Sequence, residues 1–161
     1  MGKIRKSYVG YIQIILSFIV FLSISSCSIP KIIVYDDPLT AEEHNDLGVI
    51  YEKKNMYDLA EKEYRKAISK NKNWYLPYFN LGNLYYKKGD LDQSIEYYKK
   101  ALEKENRPEI LNNLAYVLYE KGEYTEALKY IEMALRIDKK QEYLDTYNKI
   151  KEKLRDLKPS P

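Results

Sequence analysis

Cysteine and histidine are almost absent from this sequence of 161 residues, which has one of each. A single cysteine cannot form a disulfide within the chain. One cysteine and one histidine are also too few ligands for a zinc-binding cluster of these residues. There is also no glycine-rich phosphate loop, and an enzyme would need two carboxylates that face each other in a closed pocket. The histidine, His44, is more often a partly buried packing residue than a catalyst. We therefore expect no metal, no cofactor and no enzymatic activity.

Most of the chain also lacks an excess of positive charge. The whole sequence has 27 basic and 24 acidic residues. Residues 1–26 hold three of the bases, Lys3, Arg5 and Lys6, and no acid, so the remainder has 24 of each. A balanced chain offers no concentrated basic face for phosphate groups, and we expect no nucleic-acid partner.

The N-terminal segment follows the pattern of an export signal. Its three bases precede residues 7–30, which carry no charge and include a strongly apolar stretch. The run Ile24-Ser25-Ser26-Cys27 resembles the lipobox of bacterial lipoproteins, in which the cysteine becomes the lipid-bearing N-terminus. The resemblance implies a signal peptide over residues 1–27 and acyl chains such as palmitate on Cys27. It places the protein in the bacterial cell envelope, on the outer or the cytoplasmic membrane, facing away from the cytoplasm.

An uncleaved membrane anchor is the alternative for the same segment, because about 20 apolar residues can span a bilayer. Both interpretations give the same topology, since the N-terminal bases stay cytoplasmic. Residues 28–40 would then form an extended tether, because Pro30 and Pro38 disfavour a helix.

Leucine, glycine, alanine and tyrosine positions recur along the chain at steps of 34 and then 33 residues. The recurring sets are Leu47, Leu81 and Leu114; Gly48, Gly82 and Ala115; Tyr51, Tyr85 and Leu118; Ala60, Ser94 and Ala127; Tyr64, Tyr98 and Ile131; and Ala67, Ala101 and Ala134. This layout resembles the tetratricopeptide repeat (TPR). The resemblance implies an all-α fold, a short α-solenoid of three helical hairpins over residues 41–141. The three units are residues 41–74, 75–107 and 108–141.

Turn and capping residues lie between the expected helices. Left-handed backbone is expected at Asn55, Gly89 and Gly122. Thr40 and Glu43 form a capping-box pattern at the first helix. Side-chain caps are further predicted at Asn73 for the third helix and at Asp58, Asp92 and Thr125 for the second helices of the three units.

The C-terminal residues 142–157 depart from the repeat motif. Apolar side chains recur there at steps of three and four residues, which predicts an amphipathic helix. We expect this helix to cap the last repeat, as helical repeat arrays require. Its apolar positions are Tyr143, Tyr147, Ile150, Leu154 and Leu157.

The TPR resemblance also implies a binding surface, because the first helices of successive units line a concave groove in that family. Amides donate and accept hydrogen bonds, and tyrosine adds apolar area with a polar tip, so together they suit an extended or helical peptide. Asparagine is common at these positions in the family, so a purely structural role remains open. The predicted groove residues are Asn45, Phe79, Asn80, Asn83, Tyr86, Asn112, Asn113, Tyr116 and Tyr119, and the matching positions include Val49, Glu52 and Lys87.

Some TPR domains clamp a C-terminal carboxylate with Lys and Asn in unit one, Asn in unit two, and Lys and Arg in unit three. At the matching positions this chain has Asn45, Val49, Asn80, Glu109 and Asn113. Only Asn80 agrees with the clamp, and Glu109 would repel a carboxylate. We therefore expect a different ligand.

Together these features predict a membrane-anchored, envelope-facing scaffold or adaptor that binds a protein or peptide partner in its groove. The alternative is a structural subunit of an envelope, pilus or secretion assembly that associates with itself through exposed aromatics. The sequence leaves the partner and the oligomeric state open.

Overall fold

The computed structural model describes residues 37–157, and these form seven helices and no strand. The signal peptide, Cys27 and most of the tether are predicted for residues that lie outside this range. No helix among the described residues is long and apolar enough to cross a bilayer. The helices are α1 (Ala41–Lys53), α2 (Tyr57–Lys70), α3 (Tyr75–Lys87), α4 (Leu91–Lys104), α5 (Pro108–Lys121), α6 (Tyr124–Ile137) and α7 (Gln141–Asp156).

The helices pack as three consecutive hairpins followed by a closing helix. The hairpin partners are α1 with α2, α3 with α4 and α5 with α6, and each second helix also packs against the next helix in the chain. In addition α1 contacts α3, and α7 contacts α5. The predicted all-α solenoid of three hairpins plus a C-terminal capping helix is confirmed.

The turns inside the hairpins have the left-handed geometry that the sequence predicts. Asn55, Gly89 and Gly122 have φ angles of 57°, 79° and 87°. Glycine adopts this conformation without a steric cost and asparagine tolerates it. In the first turn, the backbone amide of Met56, which follows Asn55, donates a 2.9 Å hydrogen bond to Tyr51 O. This hydrogen bond closes the end of α1.

Helix α1 begins with the predicted capping box. The Glu43 amide donates to Thr40 Oγ1 at 3.2 Å, and the Thr40 amide donates to a Glu43 carboxylate oxygen at 2.8 Å. Two amides at the start of the helix are thereby satisfied by side chains.

The other predicted caps are wrong, because the helices begin at different residues. Each turn leaves one residue between the left-handed position and the next helix, so the N-caps are Met56, Asp90 and Glu123. Of these three, Asp90 accepts a hydrogen bond from the Gln93 amide at 3.0 Å. The predicted residues Asp58, Asp92 and Thr125 lie inside the first turn of their helices, and Trp74 occupies the N-cap position predicted for Asn73.

Close packing inside the hairpins explains the glycine and tyrosine repeat. A Cβ atom on Gly82 would lie 2.5 Å from the Tyr98 ring, and one on Gly48 would meet the ring of Tyr64 in the same way. The tyrosine therefore requires a residue without a Cβ atom on the facing helix. The third hairpin has Ala115 in place of the glycine and Ile131 in place of the tyrosine, both fully buried.

His44 is more deeply buried than the sequence predicts. Its side chain is fully enclosed, and its Nδ1 atom lies 2.6 Å from a carboxylate oxygen of Glu63 on α2. A buried polar group is stabilised by such a partner. The pair joins the two helices of the first hairpin.

Helix α7 covers the core of the third hairpin. Tyr143 and Ile150 are fully buried in that core, and Tyr147 and Leu154 pack against its edge. The expectation for Leu157 is wrong, since this side chain is 59% exposed. Leu157 is the C-cap of α7 and follows the last helical residue.

Candidate functional site: a groove on the first-helix face

A cavity of about 350 Å³ lies between the first helices of the second and third hairpins. Helices α3 and α5 supply most of its wall, and α1 and α4 contribute at the edge. Five of the nine predicted groove residues line it. They are Asn83, Tyr86, Asn112, Asn113 and Tyr116.

A chain of hydrogen bonds forms the floor of this cavity. Asn83 Oδ1 on α3 accepts from the Tyr98 hydroxyl at 2.6 Å and from Asn113 Nδ2 at 3.2 Å. Asn112 Nδ2 in turn donates to Asn113 Oδ1 at 3.4 Å. The chain connects α4, α3 and α5, so these amides join neighbouring repeats as well as lining the cavity. Burial raises the pKa of the Tyr98 hydroxyl above its usual value.

Asn112 is the last residue in this series of hydrogen bonds. Its side chain is 8% exposed, and its Oδ1 atom has no hydrogen-bond partner among the described residues. A buried acceptor without a donor costs about 1–3 kcal/mol. A ligand whose donor reaches this oxygen would remove this cost.

Tyrosine rings form the rim of the cavity. Tyr86 and Tyr116 meet edge to face with their ring centres 5.9 Å apart, and Tyr119 lies 6.4 Å beyond Tyr116. Tyr124 on α6 extends the row, 5.6 Å from Tyr119. The hydrogen bond with Tyr86, together with burial, raises the pKa of Tyr116 to about 12. The hydroxyl of Tyr116 therefore stays uncharged at neutral pH, and the row of rings presents faces and edges for contact.

The charged groups at the cavity wall are already paired. Lys87 Nζ lies 2.7 Å from Glu52 Oε1, and the other oxygen of Glu52 accepts from the Tyr64 hydroxyl at 2.7 Å. Burial and the bond to Glu52 raise the pKa of Tyr64 far above its usual value. Lys149 from α7 lies 5.8 Å from the centre of the Tyr116 ring.

The other four predicted groove residues lie outside this cavity. Asn45 is 3% exposed and accepts a hydrogen bond from Asn80 Nδ2 at 2.8 Å, so this pair joins α1 to α3. Phe79 packs against the Tyr98 ring with the centres 5.8 Å apart. Tyr119 extends the tyrosine row beside the cavity.

Sequence reasoning missed three residues at this site. Tyr98 and Val117 line the cavity, and Lys149 of the closing helix lies over the ring of Tyr116. Tyr98 belongs to the recurring packing positions, which gave no signal that its hydroxyl would reach the groove. Lys149 lies beyond the repeats, so the repeat spacing gave no signal for it.

The described residues offer no group of three His, Cys, Asp or Glu side chains that could hold a metal ion.

Stacked helical hairpins with a groove on their first-helix face define a helical-repeat scaffold. Two family models, each described as tetratricopeptide repeat, match residues 41–74 and 79–142, and together they cover more than half of the chain. The chain belongs to the tetratricopeptide repeat family. Among curated proteins none matches it.

Several solved structures share this fold. The first TPR of Spaghetti (RPAP3), bound to the HSP90 peptide SRMEEVD, has a TM-score of 0.69 and 18% identity, and the match covers 76% of this chain and 98% of that one. The second TPR domain of human RPAP3, in complex with the HSP70 peptide SGPTIEEVD, has a TM-score of 0.65 and 18% identity over 69% and 94% of the two chains. The TPR2B domain of yeast Sti1, in a pHsp70 complex, has a TM-score of 0.65 and 23% identity over 70% and 97%.

Proposed function

We propose that this protein is a scaffold that binds a protein or peptide partner in the first-helix groove. The observation that carries the proposal is the cavity between α3 and α5, where amides form the floor and tyrosines form the rim. Interfaces favour tyrosine because it combines a large apolar ring with a polar tip. An amide floor adds donors and acceptors for an uncharged polar ligand.

The structural neighbours support a peptide ligand, because each was solved with a chaperone-derived partner. The ligand of this chain differs in its chemistry. Glu109 stands at a position where carboxylate-clamping domains have a base, and it accepts a 2.6 Å hydrogen bond from Arg107. Asn45 is buried against Asn80. An acidic chain terminus would therefore meet an acid at Glu109, and no base stands at the matching clamp positions.

Photocrosslinking in cells tests this proposal. A photoreactive amino acid replaces Tyr86 on the cavity rim, and a matched variant carries it at Lys129, an exposed residue of α6. We expect one partner to be captured from position 86 and not from position 129. Equal capture from both positions would place the contact elsewhere.

The affinity of the identified partner gives the second part of the test. Tyr116→Ala should weaken binding about tenfold or more, since an interface tyrosine is a common energetic hot spot. Lys129→Ala should leave affinity unchanged. Melting temperatures of both variants show whether the fold is intact, and undiminished affinity in a folded Tyr116→Ala variant contradicts the groove.

We also propose that the scaffold is anchored at the envelope side of a bacterial membrane through Cys27. The support is the sequence, where the lone cysteine follows an apolar stretch and two serines. Several acyl chains on one residue would make attachment stable. Labelled palmitate should be incorporated by the wild type and not by Cys27→Ser. Equal labelling of both proteins, or a mature protein that begins at Met1, would contradict lipidation.

Self-association is the second candidate function. Three large apolar side chains near the C-terminal end of the solenoid, Ile137, Leu144 and Leu157, are 50%, 37% and 59% exposed. Exposed large apolar side chains are the groups that a self-association contact would cover. A mass that rises with protein concentration, and that Leu144→Ser lowers, would support this candidate. A constant monomer mass would exclude it.

A further inference from the structure

We propose that the cavity beside Asn112 binds the side-chain carboxamide of an asparagine or glutamine in the partner's segment. The inference rests on the proposed function of the groove and adds the chemistry of the group that it selects. It arises from the hydrogen-bonding state of Asn112, which is the one cavity residue whose buried acceptor has no donor among residues 37–157.

The side-chain amide of Asn112 has one long hydrogen bond, which a ligand could replace. Its Nδ2 donates over 3.4 Å to Asn113, at the long limit for a hydrogen bond. The terminal torsion of asparagine has broad minima, so a rotation that turns Oδ1 towards the cavity costs little beyond this long contact. An incoming N–H group would then satisfy an oxygen that is otherwise buried without a donor.

The neighbouring amide supplies the complementary group. Asn113 Nδ2 has two hydrogens, and one of them is used in the 3.2 Å bond to Asn83. The floor therefore presents an acceptor at Asn112 and a donor at Asn113. A carboxamide matches both, because it has N–H donors and a carbonyl acceptor, whereas a carboxylate only accepts and an ammonium group only donates.

The electrostatics of the wall favour an uncharged group. Glu52 and Lys87 are paired with each other at 2.7 Å. A charged ligand group would lose its water beside a wall whose charges already neutralise each other, which is unfavourable. The tyrosine rim can cover the aliphatic stem of a neutral side chain.

The depth of the cavity favours a side chain over a backbone amide. Asn112 is 8% exposed, whereas Tyr86 and Tyr116, which line the same cavity, are only partly buried. A peptide backbone that carries its own side chains would be held at the rim. A glutamine side chain carries its carboxamide at the end of a flexible stem, so it can approach a buried partner more closely than a backbone amide can.

Three small probes test this selection on the full chain in mild detergent. They are the N-acetyl methylamides of glutamine, glutamate and methionine, which share two backbone amides and have side chains of similar length. Binding is followed through the nitrogen-15 signals of the Asn112 and Asn113 side chains. We expect the glutamine probe to shift both signals and to bind about fivefold or more tightly than the other two, the ratio for one net hydrogen bond.

Asn112→Leu should abolish the preference for glutamine, whereas Asn148→Leu on the exposed side of α7 should retain it. Equal binding of the three wild-type probes would show backbone recognition and overturn the proposal, as would unchanged Asn112 and Asn113 signals with all three. This comparison of probes on the wild-type protein does not depend on whether a variant folds. If the probes fail but a partner is still captured from position 86, the carboxamide proposal is wrong and the proposed function of the groove stands. The failure of one can therefore be distinguished from the failure of the other.

Discussion

The first and third hairpins have equivalent positions in the repeat but bury different kinds of side chain. In the first, His44 and Glu63 are buried and bond to each other at 2.6 Å. In the third, the position equivalent to His44 is Leu111, and most of the buried residues are aliphatic. The buried aliphatic residues there include Ile110, Leu111, Leu114, Val117, Leu118 and Ile131.

This difference shows that one hairpin geometry can be stabilised in two ways. Apolar burial is non-directional, and its contribution grows with the area removed from water. A buried polar pair contributes only where each group has its partner, and the loss of one partner is costly. We therefore expect the third hairpin to respond mainly to lost volume, and the first to lost partners.

Removal of α7 should give the largest effect and should fall on the third hairpin. Truncation after Lys140 deletes Tyr143 and Ile150, which are both fully buried. At about 1.5–3 kcal/mol for each buried side chain, the free energy of unfolding should fall by about 3–6 kcal/mol. Chemical unfolding of the truncated and complete chains measures the difference.

Hydrogen exchange sharpens this comparison between hairpins. Amides of α5 and α6 should lose more protection than those of α1 and α2, because α7 contacts α5 and α6. A truncated chain with unchanged stability, or with equal loss of protection in both hairpins, would contradict the proposed capping role of α7.

A smaller effect is expected from Gly82→Ala, which tests why glycine in the second hairpin corresponds to alanine in the third. The new Cβ would lie 2.5 Å from the Tyr98 ring, and such overpacking costs about 1–3 kcal/mol. The double variant Gly82→Ala, Tyr98→Ile reproduces the residue pair of the third hairpin. It should be more stable than the sum of the two single effects predicts, as a double-mutant cycle would show.

Ala115→Gly is the control for this experiment. It removes a Cβ atom where the facing residue is not a tyrosine, so it should cost only about 0.5–1 kcal/mol from backbone entropy plus the small volume lost. If Gly82→Ala is as stable as the wild type, steric conflict with Tyr98 is not the reason for the glycine.

The smallest expected effect is a pH dependence that arises on the polar, N-terminal side of the solenoid. Burial opposes ionisation of Glu61, but hydrogen bonds from Tyr85, Arg65 and Lys88 outweigh it, and the pKa of Glu61 lies below its usual 4.5. Because the folded pKa is the lower one, this stabilisation is present above about pH 4.5 and is lost as the pH falls through the folded value.

Glu61→Gln should therefore lower stability at neutral pH by less than about 1 kcal/mol, since its ion pairs are partly exposed. The difference from the wild type should shrink below pH 4.5, where the wild-type carboxyl becomes protonated. Melting temperatures measured across this pH range test the effect. A difference that stays constant with pH would assign the contribution of Glu61 to packing.

The fold was predictable because its determinants are local and recur in the sequence. Gly48 faces Tyr64 and Gly82 faces Tyr98, each 16 residues further along the sequence. The left-handed turns lie at Asn55, Gly89 and Gly122. The side-chain caps were less predictable. Polar residues lie within two positions of each helix start, and the geometry of the preceding turn decides whether one of them becomes the N-cap.

For the candidate site, the sequence by itself determined the face of the solenoid on which the groove residues lie, because the helical period places side chains three and four residues apart on one side. The lipid anchor at Cys27 stays a prediction from sequence. Only the tertiary structure decided how each groove amide is used. Asn45 and Asn80 bond to each other, whereas Asn112 keeps a buried acceptor beside the cavity. Hydrogen bonds between repeats join residues that are far apart in the sequence, such as Asn113 and Asn83, which are 30 positions apart. Their partners depend on how neighbouring hairpins pack.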